Sequence, residues 1–115
     1  MQATLQILAG PETGRRIFLK SGQVASFGRT EWSDFAFPYD HRLAEVHFSI
    51  ETTDRAVTLS DLSNGHGVQI DGEKLTTCQL RSGQKIKAGS MIFVIGTEAP
   101  FETSAAGPVS VRAQA

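Results

Sequence analysis

The sequence lacks the features that mark membrane and secreted proteins. It has a single cysteine, Cys78, so no intrachain disulfide can form. This favours a protein of a reducing compartment. It contains no run of about 18 apolar residues that could cross a membrane as a helix. The start, MQATLQILAGPETG, has neither the basic segment nor the long apolar core of a signal peptide. We therefore expect a cytoplasmic chain without a membrane partner.

The sequence also lacks an excess of charge of either sign. Eleven Lys and Arg residues face 12 Asp and Glu residues, for a net charge of −1. Nucleic-acid-binding domains usually carry clustered excess positive charge, so no nucleic-acid partner is expected.

Residues for catalysis or metal binding are equally scarce. The three histidines, His41, His47 and His66, match no common metal-ligand spacing, and with one cysteine a thiol cluster is not expected. No serine lies in a nucleophile motif, and GPETGRR lacks the Gly-Lys-Ser/Thr ending of a nucleotide-binding loop. The sequence therefore predicts no metal, no cofactor and no enzymatic activity.

What the sequence does contain is a series of short apolar or alternating runs separated by turn residues. A length of 115 residues fits one domain. No window of a dozen residues keeps a helical period, and the closely spaced turns indicate an antiparallel β-sandwich or barrel. The segment 102–115, ETSAAGPVSVRAQA, is small and polar, so we predict a domain over residues 1–101 and a flexible tail or linker over 102–115.

The stretch DLSNGHGVQIDG, Asp61 to Gly72, raises the functional question. Its Asp71-Gly72 pair between short apolar runs is a strong hairpin signal. Its other glycines and its histidine suit either a simple turn or a loop that grips a ligand.

Five motifs in chain order together resemble a forkhead-associated (FHA) domain. They cover about Leu5 to Gly96, with spacing that needs no gap inside any motif. They are FGRT (Phe27–Thr30), LAEVHFSI (Leu43–Ile50), DLSNGHGVQIDG (Asp61–Gly72), LRSGQ (Leu80–Gln84) and IFVIG (Ile92–Gly96). The resemblance implies an all-β, antiparallel sandwich of the SMAD/FHA-like type, whose loops at one end bind a phosphothreonine peptide. It also suggests bacterial signalling or secretion, including type VI secretion.

The residues that the resemblance assigns to the fold are present. Gly28 and Gly67 match family glycines, and His47 matches the histidine that braces the binding loops from inside. Arg29 falls on the phosphate-binding arginine, although a surface pairing with Glu31 or Asp34 is an equal alternative.

Most residues that would hold phosphate are replaced. The family's Ser-Arg pair falls on Ala44 and Glu45, and its Asn and Thr fall on His66 and Val68. Ala44 and Val68 are expected to give the old pocket an apolar lining, and Glu45 would repel phosphate if it points there. A rival alignment uses Asn64 with the following glycine as the Asn-Gly pair.

The resemblance thus implies a non-catalytic interaction module that binds a protein or peptide partner with lost or weakened phosphothreonine recognition. The candidate binding residues are Arg29, Arg42, Asn64 and His66. The alternatives are phosphothreonine binding by a rebuilt pocket and a structural or oligomerisation domain of a larger protein.

Two aromatic residues in the unpatterned segment 29–45 have two interpretations. Trp32 and Tyr39 flank Phe35 and Phe37, which a strand-rich core can absorb by alternation. We expect Trp32 and Tyr39 to pack beneath the long loop, and the alternative is that they anchor a partner.

Overall fold

A computed structural model describes residues 1–10 and 12–98, which form strands joined by turns and loops. The strands run in chain order as β1 (Gln2–Ala9), β2 (Arg16–Leu19), β3 (Val24–Gly28), β4 (Phe35–Ala36), β5 (Phe48–Thr52), β6 (Val57–Asp61), β7 (Gln69–Ile70), β8 (Glu73–Lys74), β9 (Thr77–Gln79), β10 (Lys85–Ala88) and β11 (Met91–Glu98). The predicted tail over 102–115 lies outside the described residues, and the proposed domain boundary remains a prediction.

The strands form two sheets around a common core, which confirms the predicted β-sandwich. One sheet has six strands in the order β2-β1-β11-β10-β7-β8, and the other has five in the order β4-β3-β5-β6-β9. The strand pairs are antiparallel, except that β4 pairs with β3 in parallel. Within the described residues there is no helix with the length and apolar character required to span a membrane.

Alternation along the strands sends one set of side chains into the core, as the two-residue period requires. In β1, Leu5 and Ile7 are fully buried, whereas the alternate residues Thr4 and Gln6 are only partly covered. Aromatic rings join the two sheets. The Phe27 ring stacks on Phe48 with centroids 4.8 Å apart and meets Phe93 of the other sheet edge-on at 6.1 Å. Because Phe27 is held in this cluster, the chain that follows it leaves the sandwich from a fixed point.

The predicted hairpin at Asp71-Gly72 joins β7 to β8. Both residues have positive φ, 51° and 85°, as a tight two-residue hairpin turn requires. Of the run VHFSIE (Val46–Glu51), only the residues from Phe48 onward lie in β5. His47 instead lies in the loop region, where its backbone N–H donates to the Phe27 carbonyl.

Candidate functional site

The Gly28-Arg29 pair lies where β3 ends and the long loop begins. A Cβ atom on Gly28 would collide with the backbone of Glu45 and Val46 and with the Ser33 hydroxyl, so only glycine fits this close approach. This approach brings the start of one loop against the 43–46 segment of another.

Arg29 is tied to that same segment. Its backbone N–H donates to the Ala44 carbonyl at 2.9 Å, and its Nε donates to the Leu43 carbonyl at 3.2 Å. Among the described residues Arg29 forms no ion pair with Glu31 or Asp34. Asp34 instead accepts hydrogen bonds from Ser26. The half-buried Arg29 is thus positioned by backbone carbonyls rather than by a surface carboxylate.

His47 connects two loops from beneath. Its side chain is buried, and its Nδ1 accepts a hydrogen bond from the Ala44 N–H at 3.0 Å. A nitrogen that accepts carries no proton, so Nε2 holds the ring proton and donates to the Gly67 carbonyl at 2.7 Å. One neutral imidazole therefore fixes the distance between the segment after β4 and the glycine-rich loop after β6.

The glycine-rich loop, residues 61–67, is closed by its own side chains. The Asp61 carboxylate accepts from the Ser63 N–H at 2.8 Å, and the Ser63 hydroxyl accepts from the Gly67 N–H at 2.7 Å. Asn64 adopts a positive φ of 55°. His66 lies 3.0 Å from the Ser63 carbonyl through Nδ1, which must therefore carry a proton. The loop thus leaves the side chains of Asn64 and His66 at the surface.

These segments enclose an open groove of about 440 Å³, which we call the Arg29 groove. It brings together three of the four predicted binding residues, Arg29, Asn64 and His66, with His41, Ala44 and Glu45. The fourth, Arg42, does not line it. Its side chain is exposed, and its backbone N–H donates to the Asp40 carboxylate.

His41 was not predicted as part of the groove. It lies in a segment without periodicity, so no local pattern indicates that it meets the glycine-rich loop.

The expected apolar lining is only half correct. Ala44 lines the groove, but Val68 is fully buried in the core. Val68 precedes β7 and faces the same side as Ile70, two residues on, which is also buried. The Val68 side chain therefore packs between the two sheets and does not line the groove.

An acidic residue, Glu45, lines the Arg29 groove together with the arginine. Its backbone carbonyl accepts hydrogen bonds from Thr30 and Ser33, which fixes the main chain there, and the residue is exposed. Like charges in one groove repel, and solvent screens part of that repulsion. A phosphate dianion placed beside Arg29 would therefore meet one favourable and one unfavourable charge.

The expectation that Trp32 and Tyr39 pack beneath the long loop is wrong. Each side chain is 77% exposed, whereas Phe37 between them is fully buried and Phe35 is partly buried. The Ser33 N–H donates to the Thr30 carbonyl, which makes a tight turn at Trp32. The partner-anchor interpretation of these two residues remains a prediction.

Replacing Trp32 or Tyr39 by alanine is expected to change the free energy of unfolding by less than about 0.5 kcal/mol, because neither ring is buried. Urea denaturation measures the change. Phe37→Ala is the matched control and should lose about 3–5 kcal/mol. A loss above about 1.5 kcal/mol for either exposed aromatic would contradict the exposed position.

Solved structures with the same fold include several FHA domains. The FHA domain of the CT664 protein from Chlamydia trachomatis matches with a TM-score of 0.77 and 25% identity, over 86% of this chain and 100% of that chain. The FhaA FHA domain complexed with the intracellular domain of Rv3910 matches with a TM-score of 0.71 and 25% identity, over 81% of this chain and 98% of that chain. A structure described as an analysis of phosphothreonine-dependent FHA domain interactions matches with a TM-score of 0.75 and 23% identity, over 87% and 100%.

These matches and the two-sheet topology confirm the predicted class: the protein is an FHA-type domain, a protein-interaction module. Residues 6–99 match the Yop-YscD cytoplasmic domain family, described as "Inner membrane component of T3SS, cytoplasmic domain", and the chain belongs to that family. The secretion system in that description is type III, whereas the resemblance had suggested type VI. No curated protein sequence matches the chain.

Proposed function

We propose that this chain is a non-enzymatic, cytoplasmic interaction module that binds a segment of a protein partner in the Arg29 groove without requiring phosphothreonine. The observation that carries the proposal is the presence of Glu45 and Ala44 in the same groove as Arg29. The negative charge of Glu45 disfavours a phosphate there, and the methyl group of Ala44 cannot donate a hydrogen bond to it. Neither nucleic acid nor membrane is proposed as a partner.

The loss of phosphopeptide affinity can be estimated from the hydrogen bonds that the replaced residues would have made to the phosphate. A hydrogen bond to a charged group contributes about 1.5–3 kcal/mol. Losing two or three of them removes roughly 4 kcal/mol, which raises a dissociation constant from about 1 μM to about 1 mM. Phosphopeptide binding of that strength has little effect at cellular concentrations.

Titration with a phosphothreonine peptide library and its unphosphorylated counterpart tests the proposal. We expect no phosphothreonine to bind beside Arg29 more tightly than about 1 mM, and any peptide that shifts the backbone amide signals of Arg29, Ala44 and Asn64 to do so with or without a phosphate at that position. Arg29→Ala should weaken the binding of such a peptide. Arg55→Ala, in the turn after β5, removes the same charge elsewhere and serves as the matched control. Micromolar binding that requires the phosphate and is lost in Arg29→Ala would overturn the proposal.

That overturning result would favour the second candidate, phosphothreonine recognition by a rebuilt pocket. Its support is that Arg29, Asn64 and His66 do line one groove. A structural or oligomerisation domain is the third candidate, and it predicts a molecular mass by light scattering that rises with concentration.

A further inference from the structure

A second, smaller recess lies beside the Arg29 groove, and His66 belongs to both. This recess, of about 150 Å³, is lined by His66, Gly67, Gln69, Lys74, Lys87 and Gly89, and we call it the lysine recess. It shares no other lining residue with the Arg29 groove.

Strand pairing assembles the lysine recess from segments that are distant in sequence. Gln69 of β7 pairs with Lys87 of β10 on one side and with Lys74 of β8 on the other. Paired residues point to the same face, and strands lie about 4.8 Å apart, so the two lysines flank Gln69 on the outer face with Cα atoms roughly 10 Å apart. Ile70, the next residue, is buried on the opposite face.

Gly67 makes room for one of the lysines. A Cβ atom there would lie 2.5 Å from Lys74 Cε and 3.3 Å from its Nζ, so the lysine side chain crosses directly over the glycine backbone. This contact places the exposed Lys74 side chain against the glycine-rich loop, in the recess that His66 also lines.

The charge in the lysine recess is of one sign. Its lining includes no carboxylate, and among the described residues neither lysine has an acidic partner within 4.0 Å. Asp40 lies near Gly89, but it is buried and its two oxygens accept the backbone N–H groups of Arg42 and Ser90. Glu73 adjoins Lys74 but pairs with Ile70, so it points to the other face. The Arg29 groove, in contrast, contains Glu45.

We infer that the lysine recess binds an anionic side chain of the partner, either a carboxylate or a phosphorylated side chain. Two ammonium groups supply the charge, and the Gln69 amide between them can donate a hydrogen bond. The inference rests on the proposed function for the identity of the partner, but the anion site itself is defined by its own residues.

The shared His66 indicates how the two sites work together. An extended segment advances about 3.3 Å per residue, so a few residues suffice to pass from the Arg29 groove over His66 to the lysine recess. The partner segment is therefore expected to be acidic on the side that leaves the groove past His66. Anion recognition on this domain would then lie on the lysine side of His66 rather than beside Arg29.

Inorganic phosphate is the first probe, because it tests the site without any peptide. Titration of the protein at constant ionic strength should give saturable shifts of the backbone amide signals of Gly67, Gln69 and Gly89. The double variant Lys74→Gln/Lys87→Gln should weaken this binding by roughly five- to tenfold. Lys85→Gln is the matched control, since Lys85 lies two residues before Lys87 on β10 but does not line the recess, and it should change binding by less than about twofold.

Matched peptides then identify the source of the anion. Neutral peptides found to bind the Arg29 groove are extended with Glu, with phosphoserine or with Gln, and the charged versions should bind more tightly only while Lys74 and Lys87 are present. The stronger of the two charged versions distinguishes carboxylate from phosphate.

The failures of the two proposals differ. Arg29→Ala should weaken peptide binding but leave the phosphate titration of the lysine recess unchanged, so peptide binding that Arg29→Ala does not weaken would count against the Arg29 groove alone. Absence of saturable shifts at the recess, or an equal effect of Lys85→Gln, would overturn the anion site. A charged extension that adds no affinity would overturn its role toward the partner.

Discussion

Replacing His47 by alanine is expected to lower the free energy of unfolding by about 3–4 kcal/mol. The buried imidazole accepts from the Ala44 N–H and donates to the Gly67 carbonyl, so its removal leaves both groups unpaired and opens a cavity between the loops. Small domains have only about 5–15 kcal/mol of stability, so a large share would be lost. Chemical denaturation monitored by circular dichroism measures the change.

His41→Ala is the control for this substitution, because His41 is an exposed histidine that lines the Arg29 groove. It should change stability by less than about 0.5 kcal/mol. Hydrogen exchange adds a local readout, since the Ala44 amide should lose protection in His47→Ala. Equal stability of the two variants, with the Ala44 amide still protected, would show that His47 does not brace the loops.

Replacing Gly28 by alanine is expected to cost about 3 kcal/mol or more. The added methyl group would enter space that backbone atoms of Glu45 and Val46 already occupy, and backbone cannot move aside as a flexible side chain can. The displacement would separate the chain before Arg29 from the 43–46 segment. Urea denaturation and the amide signals of residues 29 and 44 would report the loss of stability and the local shift.

Gly96→Ala is a matched control for Gly28→Ala. Both glycines lie in strands and neither has a positive φ, but a Cβ atom on Gly96 would meet only the Thr4 carbonyl, at an ordinary 3.9 Å. Its replacement should be neutral or stabilise by up to about 1 kcal/mol, through a less flexible unfolded chain. If the two substitutions had the same effect on stability, the close packing at position 28 would not explain why this residue is a glycine.

These two predictions separate the residues that position the loops from those that face a ligand. Gly28 and His47 are enclosed by backbone, whereas Arg29, Glu45 and His66 line an open groove. The ligand-facing positions can therefore change while the loops keep their arrangement. This is the physical basis for proposing that the chain retains the FHA fold and binds a different ligand.

Much of the site arrangement followed from the sequence through its motifs. Arg29, Asn64 and His66 were assigned to one end of the sandwich, and the structure brings all three to one groove. Arg42 was assigned with them, but it does not line the groove. Its neighbours His41 and Leu43 do, and spacing along an irregular loop cannot distinguish adjacent residues.

The sequence by itself determined the strand series, the Asp71-Gly72 hairpin and, for residues 1–10 and 12–98, the absence of a long helix, because these depend on two-residue periodicity and on local turn chemistry. Only the tertiary structure decided that Val68 enters the core, that Trp32 and Tyr39 stay exposed, and that Lys74 and Lys87 flank Gln69. Burial and cross-strand neighbours depend on how β7 pairs with β10 and how the two sheets pack. Those pairings join residues far apart in the chain, where no local pattern specifies the partner.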